Sequence, residues 1–325
     1  MVLQVACELL SRNRSIYIYG MSPFFIVGVS RSGTSYLYTL LTSHPHIRLS
    51  YEGRLFTEGW QCYRRYKNLT SRSHFDRLLD DLMRCDQLEP LNQWIGSGIS
   101  ASKKTLFDQH AQHPSFTELI EQVYQLPGSA RGWGNKMLRM EMVNDILTHW
   151  PEAKFVVLVR DPRAVYASQK RFFSHRRLKY SGMYWNLHAE AIQNCTLPEE
   201  QLLTLRYEDF VEDPTTHLER ILKFTGLWNP ETAAQMLETH PASPRSINKW
   251  RTDLSEKEVR TIESICFDNM LAYGYQPERV KKGIRLGMPT KILETLLDNK
   301  SRIPRNLSIW REKNILKRFW LTIRP

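Results

Sequence analysis

Few short segments restrict a chain's architecture as tightly as Gly28-Val29-Ser30-Arg31-Ser32-Gly33-Thr34-Ser35 does here. An apolar run, Phe24 to Val27, enters it, and Leu37, Leu40 and Leu41 follow at helical spacing, so the stretch predicts strand, loop and helix. The G-x-x-x-x-G spacing lets the backbone turn tightly and aims the first amides of the helix at one point, where an anion is stabilised. A Gly- and Ser-rich turn without a ligand is the alternative; the flanking strand and helix favour a phosphate cradle. A nucleoside triphosphatase needs Lys directly after the second glycine, and that position is Thr34. The basic residue of the loop is Arg31 instead, which suits an enzyme that handles a terminal group without the usual Lys and Mg²⁺ pair.

A second apolar run, Lys154 to Val159, precedes a helical stretch from Arg163 to Phe173, and a third, Leu202 to Leu205, leads to a helix beginning near Pro214. Strands that alternate with helices predict a three-layer α/β domain, a parallel sheet flanked by helices. Ser255-Glu256-Lys257-Glu258 is a capping box that opens a further helix with Val259, Ile262, Ile265 and Cys266 on one side. Residues 56–130 are rich in Trp, Arg, Gln and Ser and show helical pieces without a clear strand. They predict an insertion over the ligand edge of the sheet, where substrate specificity resides, within a domain spanning 1–278. Where the second run ends, Arg160-Asp161-Pro162-Arg163 begins, and Ser168 lies eight residues beyond Arg160. The planar donor fork of Arg160 and the Ser168 hydroxyl suit a second phosphate. Equally, Arg160-Asp161 reads as a surface ion pair and Ser168 as an ordinary helix residue.

With 42% AVILMFWYC residues and 24% charged ones, the 325-residue chain has the composition of a globular protein, which excludes collagen-like, low-complexity and disordered architectures. No run reaches the roughly 20 apolar residues of a membrane span, and the first residues lack a basic leader. From Arg279 to Pro325, thirteen Lys or Arg stand against three acids. Nearly all of the +11 formal charge therefore sits in a basic extension, 279–325, and the main body carries no nucleic-acid-binding signature. Ser308 to Arg324 sets an apolar stripe among Arg311, Lys313, Lys317 and Arg318; such a helix either docks on the domain or lies on an anionic membrane surface. Five cysteines without a CxxC pair point to a reducing, cytoplasmic setting, against which five N-x-[ST] sequons hint at a secretory lumen.

Three segments in order, FIVGVSRSGTSYLYTLLTSHP, FVVLVRDPRAVYASQ and LTLRYEDFVEDPTTHLERILKFTGL, resemble the two cofactor-binding motifs and the downstream Tyr-Glu-Asp segment of sulfotransferases that use 3′-phosphoadenosine 5′-phosphosulfate (PAPS). The likeness runs from about residue 24 to about residue 275, with a gap across the insertion. Its flavour is that of the tyrosylprotein and bacterial sulfotransferases, because Arg31 stands where the cytosolic branch has Lys. The resemblance implies that Arg31, Ser32, Gly33, Thr34 and Ser35 hold the 5′-phosphosulfate, that Arg160 and Ser168 hold the 3′-phosphate, and that Tyr207 lies against the adenine. It also implies Glu52 as catalytic base, Lys136 as a contact to the transferring group, and Arg245, Lys249 and Arg251 as a basic loop reaching the 3′-phosphate. The Pro that follows the branch's Lys is missing after Lys136. The dimerisation segment of the cytosolic branch is absent near the C terminus, so no oligomeric state carries over.

Sulfuryl transfer is an in-line displacement of a group less charged than a phosphoryl group, so Arg31 and Lys136 can neutralise the departing oxygen without a metal. The by-product is then 3′-phosphoadenosine 5′-phosphate (PAP). The acceptor, a phenol, sugar, peptide tyrosine or lipid, must lose a proton to a carboxylate or an imidazole. Glu52 is the expected base; outside the resemblance it reads as an exposed carboxylate beside Arg54, and Lys136 as a solvated lysine. His44, His46, His110 and His113 are the imidazole alternatives, and Asp108, His110 and His113 lack the further ligands of a metal site. A P-loop kinase, or a non-catalytic nucleotide-binding protein at a membrane surface, is the competing reading.

Overall fold

The computed structural model describes residues 22–300 apart from 54, 86–98, 113, 126–129, 139, 174–176 and 245–246. Arg54, His113, Arg245 and the stripe from Ser308 to Arg324 lie outside the described residues. Among the described residues five strands, β1 (Phe24–Val27), β2 (Ile47–Tyr51), β3 (Gly132–Met137), β4 (Lys154–Val159) and β5 (Leu202–Arg206), form one parallel sheet in the order β2-β3-β1-β4-β5, flanked by helices. The helices of the first half are α1 (Thr34–Thr42), α2 (Leu55–Tyr63), α3 (Arg72–Cys85), α4 (Ile99–Gln112), α5 (Phe116–Gln125) and α6 (Val143–Leu147). Those of the second are α7 (Pro162–Phe172), α8 (Leu178–Gln193), α9 (Tyr207–Glu212), α10 (Pro214–Thr225), α11 (Pro230–Thr239), α12 (Trp250–Asp253), α13 (Glu256–Ala272) and α14 (Met288–Lys300). None is long and apolar enough to cross a membrane.

Strands covered on both faces read as unbroken apolar runs. Every residue of β1 is buried, as are Phe155 to Val159 of β4, and the rings of Phe25 and Phe155 stack with centroids 5.4 Å apart. β4 and β5 pair in parallel with Val159 opposite Arg206. Arg160 and Tyr207, the next residues, therefore leave the sheet side by side at its C-terminal edge. That edge of a parallel sheet, where the strand order turns, is where such folds hold their ligands.

The described residues fall into two compact units, one built from residues up to 24, 45–134 and 145–153, the other from 25–44, 135–144 and 154 onward. The first has an aromatic core: Phe56 lies 5.7, 6.0 and 5.1 Å from the ring centroids of Tyr124, Trp133 and Trp150. Gly134 has φ 150°, and a Cβ there would stand 1.9 Å from the Phe24 carbonyl oxygen, so only glycine lets β3 run this close. His110 is 2% exposed, with its ring 5.3 Å from Phe75 and its Nε2 3.3 Å from the Tyr63 hydroxyl. Burial lowers its pKa. This histidine packs the core and is not an imidazole open to an acceptor or a metal.

In the second unit, Asp161, Asp213 and Asn229 each cap a helix and each is followed by Pro at the first helical position, which is how three Asp/Asn-Pro dipeptides come to start α7, α10 and α11. The Ser255 capping box forms as expected. Asp161 does not make a surface pair with Arg160. Its partner is Arg163, buried, with Nη2 to Oδ2 at 2.7 Å; the same guanidinium reaches Glu263 at 2.7 Å and lies 4.0 Å over the Trp250 ring. Burial works against the charge on Arg163, but the hydrogen bonds and charges of Asp161 and Glu263 outweigh it and raise the pKa. Glu263 also accepts the amides of Glu278 and Arg279 at 3.0 and 2.7 Å, fastening the chain as it enters the basic extension. Farther along, α14 is tied by Arg177 to Glu294 at 2.7 Å.

Arg163→Ala leaves two buried carboxylates without their cation, and such truncations cost about 3–5 kcal/mol. Urea denaturation followed by tryptophan fluorescence is expected to show that loss, with Arg163→Lys recovering part of it.

Candidate functional site

Gly33 opens α1 in the left-handed conformation, φ 93°, and no side chain caps the helix start, in contrast to α7, α10, α11 and α13. An anion is the natural partner for such amides. A Cβ at Gly28 would stand 2.7 Å from the Leu158 carbonyl oxygen, and one at Gly33 2.2 Å from Tyr207 Cδ2. Both glycines let the loop press against its neighbours. Ser32 is 1% exposed, and its Oγ has no hydrogen-bond partner among the described residues. A buried hydroxyl left so is costly, and an anion seated in the loop would complete it. Thr34 is buried beside it and Ser35 is exposed.

Arg31 has φ 77°, a conformation that costs a non-glycine residue about 1–2 kcal/mol. Its carbonyl accepts from Arg160 Nη1 at 3.0 Å, and its Nε donates to Ser168 Oγ at 3.0 Å. Gln169 Nε2 donates to the Ser30 carbonyl at 3.1 Å while its Oε1 accepts from Ser181 Oγ at 2.7 Å. Two consecutive residues of α7 thus grip two consecutive residues of the loop. The Arg160 guanidinium lies 4.3 Å over the Tyr207 ring, and Trp185 Nε1 donates to the Arg160 carbonyl at 2.9 Å. Tyr207 is buried, its ring packed against Gly33 and lying under the Arg160 guanidinium.

Beneath this group, Glu208 accepts from the Asp161 amide at 3.2 Å and from the Tyr275 hydroxyl at 2.7 Å. Burial raises its pKa above the ordinary 4.5, although those hydrogen bonds pull the other way. Gln169, Trp185, Glu208 and Tyr275 are supporting residues that sequence reasoning passed over. Gln169 adjoins Ser168 and Glu208 adjoins Tyr207, so proximity to a named residue was the available signal.

Lys136, on β3, is 1% exposed and so is no solvated lysine. Glu52 follows β2, exposed, with φ 54°. His44 is buried and His46 half-buried, with its carbonyl accepting the amides of Arg131 and Gly132. Lys249 is exposed at the start of α12. The Arg251 fork closes on Glu278 and lies 4.5 Å over Trp250.

The fold is thus a parallel sheet with a Gly-flanked loop after β1 and an Arg-Ser pair after β4. A model of the sulfotransferase family matches residues 23–230, and the chain belongs to that family. Carbohydrate sulfotransferase 3 of Tetronarce californica is 28% identical over 158 residues, 38% of this chain and 36% of that protein. The protein-tyrosine sulfotransferase of Drosophila melanogaster is 22% identical over 96% of this chain and 62% of its own length. The chain therefore spans less than two thirds of either relative. In fold, it is similar to the sulfotransferase domain from the curacin biosynthetic pathway, with a TM-score of 0.54 and 16% identity over 79% of this chain and 99% of that one.

Because the folded pKa of Glu208 is raised, the unfolded state releases this proton first as pH rises. Stability contributed at this position is present below the ordinary carboxylate value and falls as pH climbs from there through the folded value. Glu208→Gln removes that dependence. Urea midpoints from pH 4 to 7 are expected to show the variant gaining on the wild type as pH rises.

Proposed function

We propose that this chain transfers a sulfuryl group from PAPS to a hydroxyl or amine of its acceptor, releasing PAP. One observation carries the reading: Arg31, Arg160 and Ser168 meet in a single hydrogen-bonded group beside the unpartnered Ser32 hydroxyl. Arg31, Ser32, Gly33, Thr34 and Ser35 hold the 5′-phosphosulfate, the fixed positive ends of amides and guanidinium doing the work of a metal. Arg160 and Ser168 hold the 3′-phosphate, with Lys249 as a further cation; Arg251 would first have to leave Glu278. Tyr207 lies against the adenine, with the Arg160 guanidinium over its ring. As the acceptor atom bonds to sulfur, the bond from sulfur to the bridging oxygen breaks, Arg31 and Lys136 offset the charge growing on that oxygen, and Glu52 takes the acceptor's proton. Residues 56–130 form the acceptor cap, in a cytoplasmic setting.

Calorimetry with PAP and with Mg-ATP tests the donor, and incubating PAPS with panels of phenols, sugars, tyrosyl peptides and lipids, read by mass spectrometry for added sulfonate, tests the reaction. Tighter binding of Mg-ATP than of PAP would sink the proposal.

Arg160→Ala removes a charge-assisted bond to a buried phosphate, so the KM for PAPS is expected to rise about 10- to 100-fold. Lysine there restores only part, since it lacks the planar fork. Glu52→Gln keeps the shape but cannot take a proton, and kcat is expected to fall about 10²- to 10⁴-fold with PAP affinity unchanged. Near-normal turnover across a pH series would remove Glu52 from the mechanism.

A further inference from the structure

Ser168 and Phe172 stand four residues apart on α7, one turn along the same face. The Arg31 side chain runs along that face. Its Nε donates to Ser168 Oγ at 3.0 Å, and its guanidinium carbon lies 3.8 Å from the centroid of the Phe172 ring. At that distance an aromatic face attracts a guanidinium through its negative π surface. Phe172 is 63% exposed, so its ring fills no core, and among the described residues it meets no other aromatic or cationic group.

Arginine is a poor choice for a site that needs a fixed charge unless something fixes it. Its long side chain carries much rotamer freedom, and whatever freedom is lost on binding a ligand is subtracted from affinity. Here the backbone is already committed, with φ at 77° and the carbonyl held by Arg160. The Nε bond and the stacked ring then set the plane in which the remaining four N–H donors of the guanidinium lie.

We infer that Phe172 is a positioning residue of the donor site: its ring sets the Arg31 guanidinium beside Ser168 before the donor arrives, joining the groups assigned to the two phosphate ends. The inference rests on the PAPS reading above. It acts through Arg31 alone, which separates it from a ring that merely packs or touches the acceptor.

Calorimetry with PAP on the full chain tests it, using Phe172→Ala, Phe172→Leu and Phe172→Trp, each with Arg31 intact and with Arg31→Ala. Alanine and leucine are expected to weaken PAP binding about 2- to 5-fold, the range of an exposed cation–π contact, and tryptophan to match or better the wild type. Leucine keeps the apolar bulk without the π face. In the Arg31→Ala background, Phe172→Ala is expected to change nothing further. Equal weakening in both backgrounds, or none in either, overturns the inference while the PAPS reading stands. So does loss of native circular dichroism in Phe172→Leu, which would make the ring structural. Failure of the wild type to bind PAP removes the PAPS reading and this inference with it.

Discussion

Because Val159 lies opposite Arg206 in the paired strands β4 and β5, Arg160 and Tyr207 emerge as neighbours and the guanidinium settles over the ring. Much of the site depends on that register. From its place on the ring, Arg160 reaches the Arg31 carbonyl and holds the loop after β1, while Glu208, one residue beyond Tyr207, catches the Asp161 amide one residue beyond Arg160. A slip of a single residue between β4 and β5 would take Tyr207 out of step with Arg160 and Glu208 out of step with Asp161.

The buried group of Arg163, Asp161 and Glu263 has a different task. Ion pairs out of water are weak evidence of stability, since desolvation offsets most of their attraction. What this one supplies is direction: Arg163, held by the Asp161 cap of α7, reaches Glu263 on α13, so the start of α7 cannot rotate without breaking that buried contact. Ser168 and Gln169 keep their aim on the loop as a result. The same carboxylate of Glu263 holds the backbone at 278 and 279, which makes the segment entering the basic extension part of the scaffold behind α7.

The three strands that carry the site, β1, β4 and β5, were legible because unbroken apolar runs bounded by turn residues can be little else. β2 and β3 were not. β3 is Gly-Trp-Gly-Asn-Lys-Met, with two glycines, an amide and a charge, and it is nonetheless buried along its whole length. Tertiary context overrides so poor a local preference. In the site, Arg31, Arg160 and Ser168 could be picked out as residue types in motifs, but their meeting could not: 129 residues separate Arg31 from Arg160 and 137 separate it from Ser168. Tyr207 is a case of the same kind: a motif gives the residue, and only the register shows that the Arg160 guanidinium lies over its ring.

Among the described residues, the two non-glycine residues with positive φ are Arg31 and Glu52, one proposed to steady the departing charge and the other to take the proton. Glycine or asparagine would relax either backbone. Selection of this chain for heat tolerance alone would therefore find ready gains at these two positions, and each gain would discard a charged group to which the proposed chemistry gives a role. A stabilisation campaign has to hold positions 31 and 52 fixed, or screen every round for turnover as well as for survival.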